Sequence, residues 1–355
     1  MNIEQTTQIR EGEEIDNLRL NAYLQKEIPD FGHIETITQY KGGFSNLTYL
    51  IETIDGDYVL RRPPHGASAK GGHDMGREFR VLSLLKKAGF DKVPTPLSID
   101  ESGDVLGTPF YIMERLDGII LRSKDAQNAT LSPETMRHLS KRLIDNLAQI
   151  HSIDIEKTGL VQLGKPEGYV RRQVEGWIER YGKAQTDDVI NMEDTAAWLM
   201  KNDPRPQTPT FLHNDYKFDN VVWNNSLTEI IGVLDWEMAT VGDPLMDLGA
   251  ALAWWSEPSD GDFSKMMNLT WLNGTLTRQQ AADRYADKTG RDLSDILFYY
   301  VFGLYKNAVI GQQIYARWKK GLTKDDRFSG LIYGVFELSK MAMNAIESGD
   351  RKSVV

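Results

Sequence analysis

Near Arg115 this chain changes character, and that change dictates a fold with two unlike parts. Upstream, the runs ETITQYKGG, FSNLTYLIET and DYVLRRPP are rich in β-branched and aromatic residues. Gly42-Gly43 and Asp55-Gly56 separate them, which predicts an antiparallel meander joined by tight turns. Apolar residues at helical spacing (Ile15, Leu18, Leu20, Tyr23, Leu24) precede the meander, and Pro29 stops them. A glycine-rich segment from Pro63 to Gly76 reads as a loop. The run REFRVLSLLKKAG then reads as a helix, with basic residues in its last turn and Gly89 as its stop. Two further strands are expected around Leu97 to Ile99 and Pro109 to Met113. Downstream, two hundred residues are mainly helical, the clearest helix beginning at the capping residue Ser132. The expectation is an α+β chain: a small antiparallel β N-lobe with one helix over residues 1–115, and a larger, mainly helical C-lobe over 116–355.

Composition narrows the function classes. The formal net charge is −10, and the 41 Lys and Arg residues form no long basic run, so neither nucleic acid nor an anionic membrane is expected as a partner. There is no cysteine, which excludes disulfides, thiolate metal sites and cysteine nucleophiles. The first residues, MNIEQTTQIREGEE, lack a secretory pattern. The apolar run Leu248 to Trp255 is far shorter than the ~20 residues that span a bilayer. A cytoplasmic protein is expected.

The stretch FLHNDYKFDNVVWNN followed by EIIGVLDWE carries the chemistry. It reads His213-x-Asp215-x-x-x-x-Asn220, then two short apolar runs parted by the turn-forming Asn224-Asn225-Ser226, the second ending on Asp235. Such a hairpin brings Asn220 near Asp235. An amide oxygen beside a carboxylate is a site for Mg²⁺, which takes hard oxygen ligands and keeps some waters. Asp215, on the same loop, can then face a substrate hydroxyl beside metal-bound phosphates. Phosphoryl transfer asks for this kind of positioning and charge neutralisation more than for covalent chemistry.

HNDYKFDN and LDWE together resemble the catalytic and metal loops of the aminoglycoside-phosphotransferase-like kinases. Those enzymes are relatives of protein kinases, whose matching patterns are H-R-D-x-x-x-x-N and D-F-G. The resemblance implies a protein-kinase-like two-lobed fold, with ATP as co-substrate and Mg²⁺ as cofactor. It implies Asp215 as catalytic base, Asn220 and Asp235 as magnesium ligands, and His213 as support for the loop. Asp247 in GDPLMDLG matches a further signature and reads as a residue bracing the catalytic loop; Asp243 reads as a turn residue.

In the N-lobe, Gly42, Gly43, Phe44, Ser45 and Asn46 lie where the family places its phosphate-covering loop. On the third strand Val59 and Arg61 share a face, as alanine and lysine do in the kinase V-A-I-K strand. Arg61 takes the lysine place and Glu78 that of its partner glutamate. Arginine keeps the charge, though its forked geometry differs from that of lysine. Pro109 to Arg115 resembles the strand entering the hinge, which makes Met113 and Glu114 neighbours of the nucleotide through their main chain.

The resemblance runs from Gly42 to about Trp318. The segments YVLRRPP, YIMERLDG, EGYVRRQVEGWIERY and FYYVFGLYKNAVIGQQIYARW are similar to the kinase domain fused to some animal acyl-CoA dehydrogenases. That likeness implies a hydroxylated acyl-CoA as acceptor. Arg171 and Arg172 either hold an anionic substrate or belong to a solvated helix face. Trp254, Trp255, Tyr299, Tyr300, Tyr305 and Trp318 either line an acyl pocket or, more commonly for such spacing, form core. The mixed basic and aromatic character around Arg171, Arg172, Arg180, Lys183 and these tyrosines suits an anionic hydroxy compound better than a polycation. The alternatives are a kinase for aminoglycosides or other amino-alcohols or sugars, and a nucleotide-binding pseudokinase acting as an interaction module. A protein kinase is disfavoured because no A-P-E-type segment separates Asp235 from GDPLMDLG.

Overall fold

The structure, a computed structural model, describes residues 6–41, 46–64, 73–123, 131–323 and 326–349. It divides into two compact units, one formed by Met1–Ile120 with Asn220–Ala239, the other by Leu121–Asp219 with Thr240–Val355. The expected Gly42, Gly43, Phe44 and Ser45 of the phosphate loop lie outside the described residues.

The first unit is built on a six-stranded antiparallel sheet: β1 (Thr6–Thr7), β2 (Ile34–Tyr40), β3 (Leu47–Thr53), β4 (Gly56–Arg62), β5 (Pro96–Asp100) and β6 (Phe110–Glu114), in the order β1-β2-β3-β4-β6-β5. The edge pair Thr6–Thr7 carries no sequence signal of its own; two threonines in a polar stretch become a strand only because Gln39 and Tyr40 lie across from them. Helix α1 (Asn17–Glu27) starts where the Asp16 side chain accepts the Arg19 N–H. Its Leu20 and Leu24 pack with Tyr49, Ile51, Leu60, Phe110 and Ile112. Helix α2 (Met75–Lys87) is capped by Asp74 and buries Val81, Leu82 and Leu85, with Glu78 among them. A smaller sheet, ordered β10-β9-β7, joins β7 (Ile119–Ile120), β9 (Val221–Trp223) and β10 (Ile230–Val233).

The second unit is helical: α3 (Pro133–His151), α4 (Tyr169–Ala184), α5 (Met192–Lys201), α6 (Pro244–Trp254), α7 (Arg278–Thr289), α8 (Ile296–Lys319) and α9 (Leu331–Ser348), with short helical turns between. The strand pair β8 (Thr210–Leu212) and β11 (Thr240–Gly242) completes it. Helix α6 is apolar nearly all round, as a helix at the centre of a unit must be. It crosses α8 closely because both carry glycine at the contact: a Cβ on Gly249 would lie 2.2 Å from the Tyr299 carbonyl oxygen, and one on Gly303 2.4 Å from that of Gly249. This close crossing ties together the two helices that hold the catalytic loop. Asp243 is the N-cap of α6, accepting the Leu245 N–H at 2.9 Å and the Tyr299 hydroxyl at 2.9 Å, a more specific task than the turn role its position before Pro244 predicts. Among the described residues no helix is long and apolar enough to cross a membrane.

Candidate active site

In the β-rich unit, the register of β4 against β6 sets the site. Adjacent residues of a strand face opposite ways, and the two arginines at its end divide accordingly. Arg62 turns to the Tyr49 hydroxyl and the Glu13 carbonyl. Arg61, whose strand partner is Tyr111, turns to three carboxylates: Glu78 at 3.3 Å, Asp235 at 3.1 Å and Glu237 at 3.9 Å. The pairing of Arg61 with Glu78 expected from the sequence is present. Burial raises the pKa of Glu78 against the opposing pull of Arg61. For Arg61, the surrounding carboxylates, Glu78 first, outweigh burial and raise its pKa well above the usual arginine value.

The hairpin β9–β10 is held at its turn by the Asn224 side chain, which accepts the Thr228 and Glu229 N–H groups. At its base the Leu234 N–H reaches the Asn220 carbonyl at 2.8 Å, so residue 220 lies beside the segment ending on Asp235. Asp235 has φ +67°, in the left-handed region that aspartate enters more readily than most residues. Asn46, the described end of the predicted phosphate loop, donates to Glu237 at 2.9 Å and meets His73 at 3.0 Å. Met113 is buried, and Glu114 gives its N–H to the Thr95 carbonyl.

The donor set suits magnesium. Asn220 and Asp235 offer hard oxygens, and three carboxylates gather about the Arg61 guanidinium. Among the described residues no group of three or more His, Asp or Glu is placed to hold a metal ion.

In the helical unit, Asp215 follows Asn214, which also has φ +67°. Its carboxylate accepts from Lys217 at 2.8 and 3.1 Å and from the Trp254 indole at 3.2 Å, and the Lys217 ammonium sits 4.7 Å from the Trp254 ring centre. Burial alone would raise its pKa, but Lys217 and then Lys306 hold it below the usual aspartate value. Asp247 is fully buried and accepts the N–H groups of His213 at 2.6 Å and Asn214 at 2.8 Å. His151 meets it through Nε2 at 3.2 Å and meets the Tyr285 hydroxyl through Nδ1 at 2.6 Å. An ionised carboxylate only accepts, so Nε2 donates to Asp247. Asp247 thus clasps the loop from α6. His213 is buried and takes the Asp215 N–H on Nδ1 at 3.2 Å.

The remaining sequence-derived positions behave differently. Arg171 pairs with Glu175 at 2.9 Å, Asp203 at 3.3 Å and the Met200 carbonyl at 2.7 Å. Arg172 bonds the Glu167 and Lys165 carbonyls, and Lys183 pairs with Glu179 on an exposed helix face. Tyr299, Tyr300 and Tyr305 are buried, so they are core and do not line an open acceptor pocket. Sequence reasoning missed Lys217, Lys306, Tyr169, His151 and Tyr285, and left Trp254 between an acyl pocket and core without foreseeing its bond to Asp215. One signal was available: Lys306 is the sole charged residue between Ile296 and Ala316 in an otherwise apolar helix.

An antiparallel β unit carrying a strand arginine paired to a helix glutamate, and a helical unit carrying a braced H-x-D loop, define a kinase-like phosphotransferase. The comparisons agree. The profile of the phosphotransferase enzyme family matches residues 36–285, and the chain belongs to that family. Acyl-CoA dehydrogenase family member 11 of Rattus norvegicus is 32% identical over 324 residues, covering 89% of this chain and 41% of the relative. Family member 10 of Mus musculus is 34% identical over 291 residues, covering 79% of this chain and 26% of the relative. The chain therefore spans about two fifths or less of the length of these two relatives. Among solved structures, a Ralstonia eutropha protein provisionally named an aminoglycoside phosphotransferase superposes with a TM-score of 0.79 at 26% identity, covering 94% of this chain and 99% of the other. An aminoglycoside phosphotransferase in complex with GDP and kanamycin shares the fold, with a TM-score of 0.60 at 19% identity, over 92% of this chain and 99% of the other.

Proposed function

We propose that the chain is a small-molecule kinase that transfers the γ-phosphoryl group of ATP to a hydroxyl. The observation that carries this reading is Asp215, an ionised carboxylate on a left-handed turn, oriented by Lys217 and Trp254 and braced through Asp247. In the reaction the acceptor oxygen attacks the γ-phosphorus and its proton passes to Asp215. The new O–P bond forms as the bond to ADP breaks, and ADP leaves with the electron pair. Asn220 and Asp235 would hold Mg²⁺, which would supply charge neutralisation at the phosphates. Arg61, fixed by Glu78, faces phosphate. Gly42, Gly43, Ser45 and Asn46 cover the phosphates through backbone N–H groups, and Met113 and Glu114 neighbour the base. His213 and Asp247 position the loop. By this division residues 1–115 form the nucleotide lobe and 116–355 the catalytic and acceptor lobe.

The acceptor we infer is an anionic hydroxy compound, of which a hydroxyacyl-CoA is the leading case. Lys217 and Lys306 both face Asp215, with Arg180 near Lys306, and this charge favours an anion over a polycation. The likeness to the acyl-CoA dehydrogenase family members supports an acyl-CoA, and Arg171 and Arg172 are then candidates for its phosphates. The competing reading, an aminoglycoside kinase, is favoured by the kanamycin-bound structure of the same fold. Purified protein with Mg-ATP is tested against hydroxyacyl-CoAs, kanamycin, choline-like alcohols and sugars. Expected are phosphorylation of a hydroxyacyl-CoA and a loss of at least ~100-fold in turnover for Asp215→Asn, with Mg-ATP affinity little changed. Higher kcat/KM on kanamycin would overturn the acceptor class; normal turnover of Asp215→Asn would overturn the base.

A further inference from the structure

We propose that Lys306 is a positioning residue for the catalytic loop, its buried ammonium holding the left-handed turn at Asn214 and supplying fixed positive charge that faces both Asp215 and Asp247. The inference rests on the reading of Asp215 as proton acceptor.

Lys306 projects from the middle of α8 and is only 3% exposed. A lysine in a helix interior ordinarily runs its stem along apolar surface and keeps its head in water. This one turns inward and donates to the Asn214 carbonyl, with the Trp177 ring centre 5.9 Å from its nitrogen. Burying an ammonium is costly unless it is paired and hydrogen-bonded, so an apolar residue would be the ordinary occupant of the place. What repays the burial is the loop itself. Asn214 adopts φ +67°, and helices grip it at three polar atoms: its N–H goes to Asp247 of α6, its carbonyl accepts from Lys306 of α8, and its side-chain oxygen accepts from Tyr169 of α4 at 3.2 Å. Two carboxylates flank that turn, and Lys306 lies in the field of both.

Asp215 faces Lys217, Lys306 and His213, with the Trp254 indole donating to it. Lys306 faces Asp215 and Asp247, against the like charges of Lys217 and Arg180. Burial lowers the Lys306 pKa below the usual lysine value, while both carboxylates pull it back up. The sign at Asp215 follows: removing a facing positive charge disfavours the anion, so its titration must move to higher pH. A lysine that merely filled space would leave that titration where it was.

The test is a carboxyl ¹³C NMR titration of the full chain labelled at aspartate, with the Asp215 signal assigned by its loss in Asp215→Asn. In the unsubstituted protein Asp215 should titrate below the usual aspartate range. In Lys306→Met and Lys306→Gln the midpoint should rise by about one unit or more, with Gln keeping a donor for the Asn214 carbonyl. Lys306→Arg should keep the original midpoint. An unchanged midpoint in the Met and Gln variants would overturn the proposal, as would loss of folding in the Gln and Arg variants alike, which would make Lys306 a core residue only. Asp215→Asn assayed beside them separates the two readings. If it retains turnover, the base assignment fails whatever Lys306 does. If it loses turnover while the Lys306 variants titrate normally, only the present inference fails.

Discussion

The two charged clusters of the molecule solve opposite problems. In the β-rich unit one arginine, Arg61, faces three carboxylates, so carboxylates outnumber the guanidinium they meet. In the helical unit two carboxylates, Asp215 and Asp247, face Lys217 and Lys306, so the cluster carries its own counter-charge. The difference teaches where an external cation belongs. A carboxylate-rich site of this kind would suit a divalent ion that takes hard oxygen ligands. A site already neutralised from within is free to bind a proton or an acceptor.

Three outcomes break or sharpen that contrast. The largest concerns the carboxylate-rich cluster. Asp235→Ala should weaken Mg-dependent nucleotide binding by on the order of 100-fold, since it deletes a charged ligand, and Asn220→Ala should weaken it less. Calorimetric titration of Mg-ATP into each variant measures this, and unchanged binding in Asp235→Ala would move the metal elsewhere.

A smaller effect tests the sign of the two clusters through stability against pH. Glu78 has its folded pKa raised above 4.5, burial outweighing Arg61. The folded state therefore holds more protons there, and the Glu78 contribution is full below about pH 4.5 and lost as pH rises through the folded value. Asp247 has its folded pKa lowered below 3.8, its hydrogen bond from His151 and nearby charges outweighing burial. Its contribution is full above the usual aspartate range and lost as pH falls through the folded value. Urea unfolding between about pH 3 and 8 should thus show Glu78→Gln removing a loss of stability on the rising side. Asp247→Asn should remove a loss on the falling side. Slopes of the same sign in both variants would erase the contrast.

The smallest effect is at the helix face carrying Arg171. Its guanidinium is already committed to Glu175, Asp203 and the Met200 carbonyl. Arg171→Ala should therefore raise the KM for a hydroxyacyl-CoA only about twofold, the scale of an exposed pair. A rise beyond tenfold in steady-state assays would make it a principal anchor of the acceptor.

Much of this was legible locally. The β meander and the hairpin β9–β10 follow from alternation and turn residues, both short-range signals. The spacing His213-x-Asp215-x-x-x-x-Asn220 and the hairpin ending on Asp235 place their side chains through at most some twenty residues of chain. The pairing of Arg61 with Glu78 was reachable because strand parity sets the face of Arg61 and the kinase resemblance implies Glu78 as its partner. Other facts were not legible. That Thr6 and Thr7 form a strand depends on a partner, not on their own propensity. That Tyr299, Tyr300 and Tyr305 are core depends on which way α8 turns against its neighbours, and the nearly uniform apolar run in that helix does not say.

The sequence by itself determined the order of the elements, the turns between them and the residue types needed for phosphoryl transfer, because those properties are written in neighbours along the chain. Only the tertiary structure decided which charges meet around Asp215. Lys306 stands 91 positions after Asp215 (306 − 215 = 91) and reaches its loop because Gly249 and Gly303 let α6 and α8 cross closely. Trp254, at the end of α6, becomes a donor to Asp215 by the same packing. A charge's neighbours in space are set by helix packing, and packing is a property of the whole core rather than of any segment.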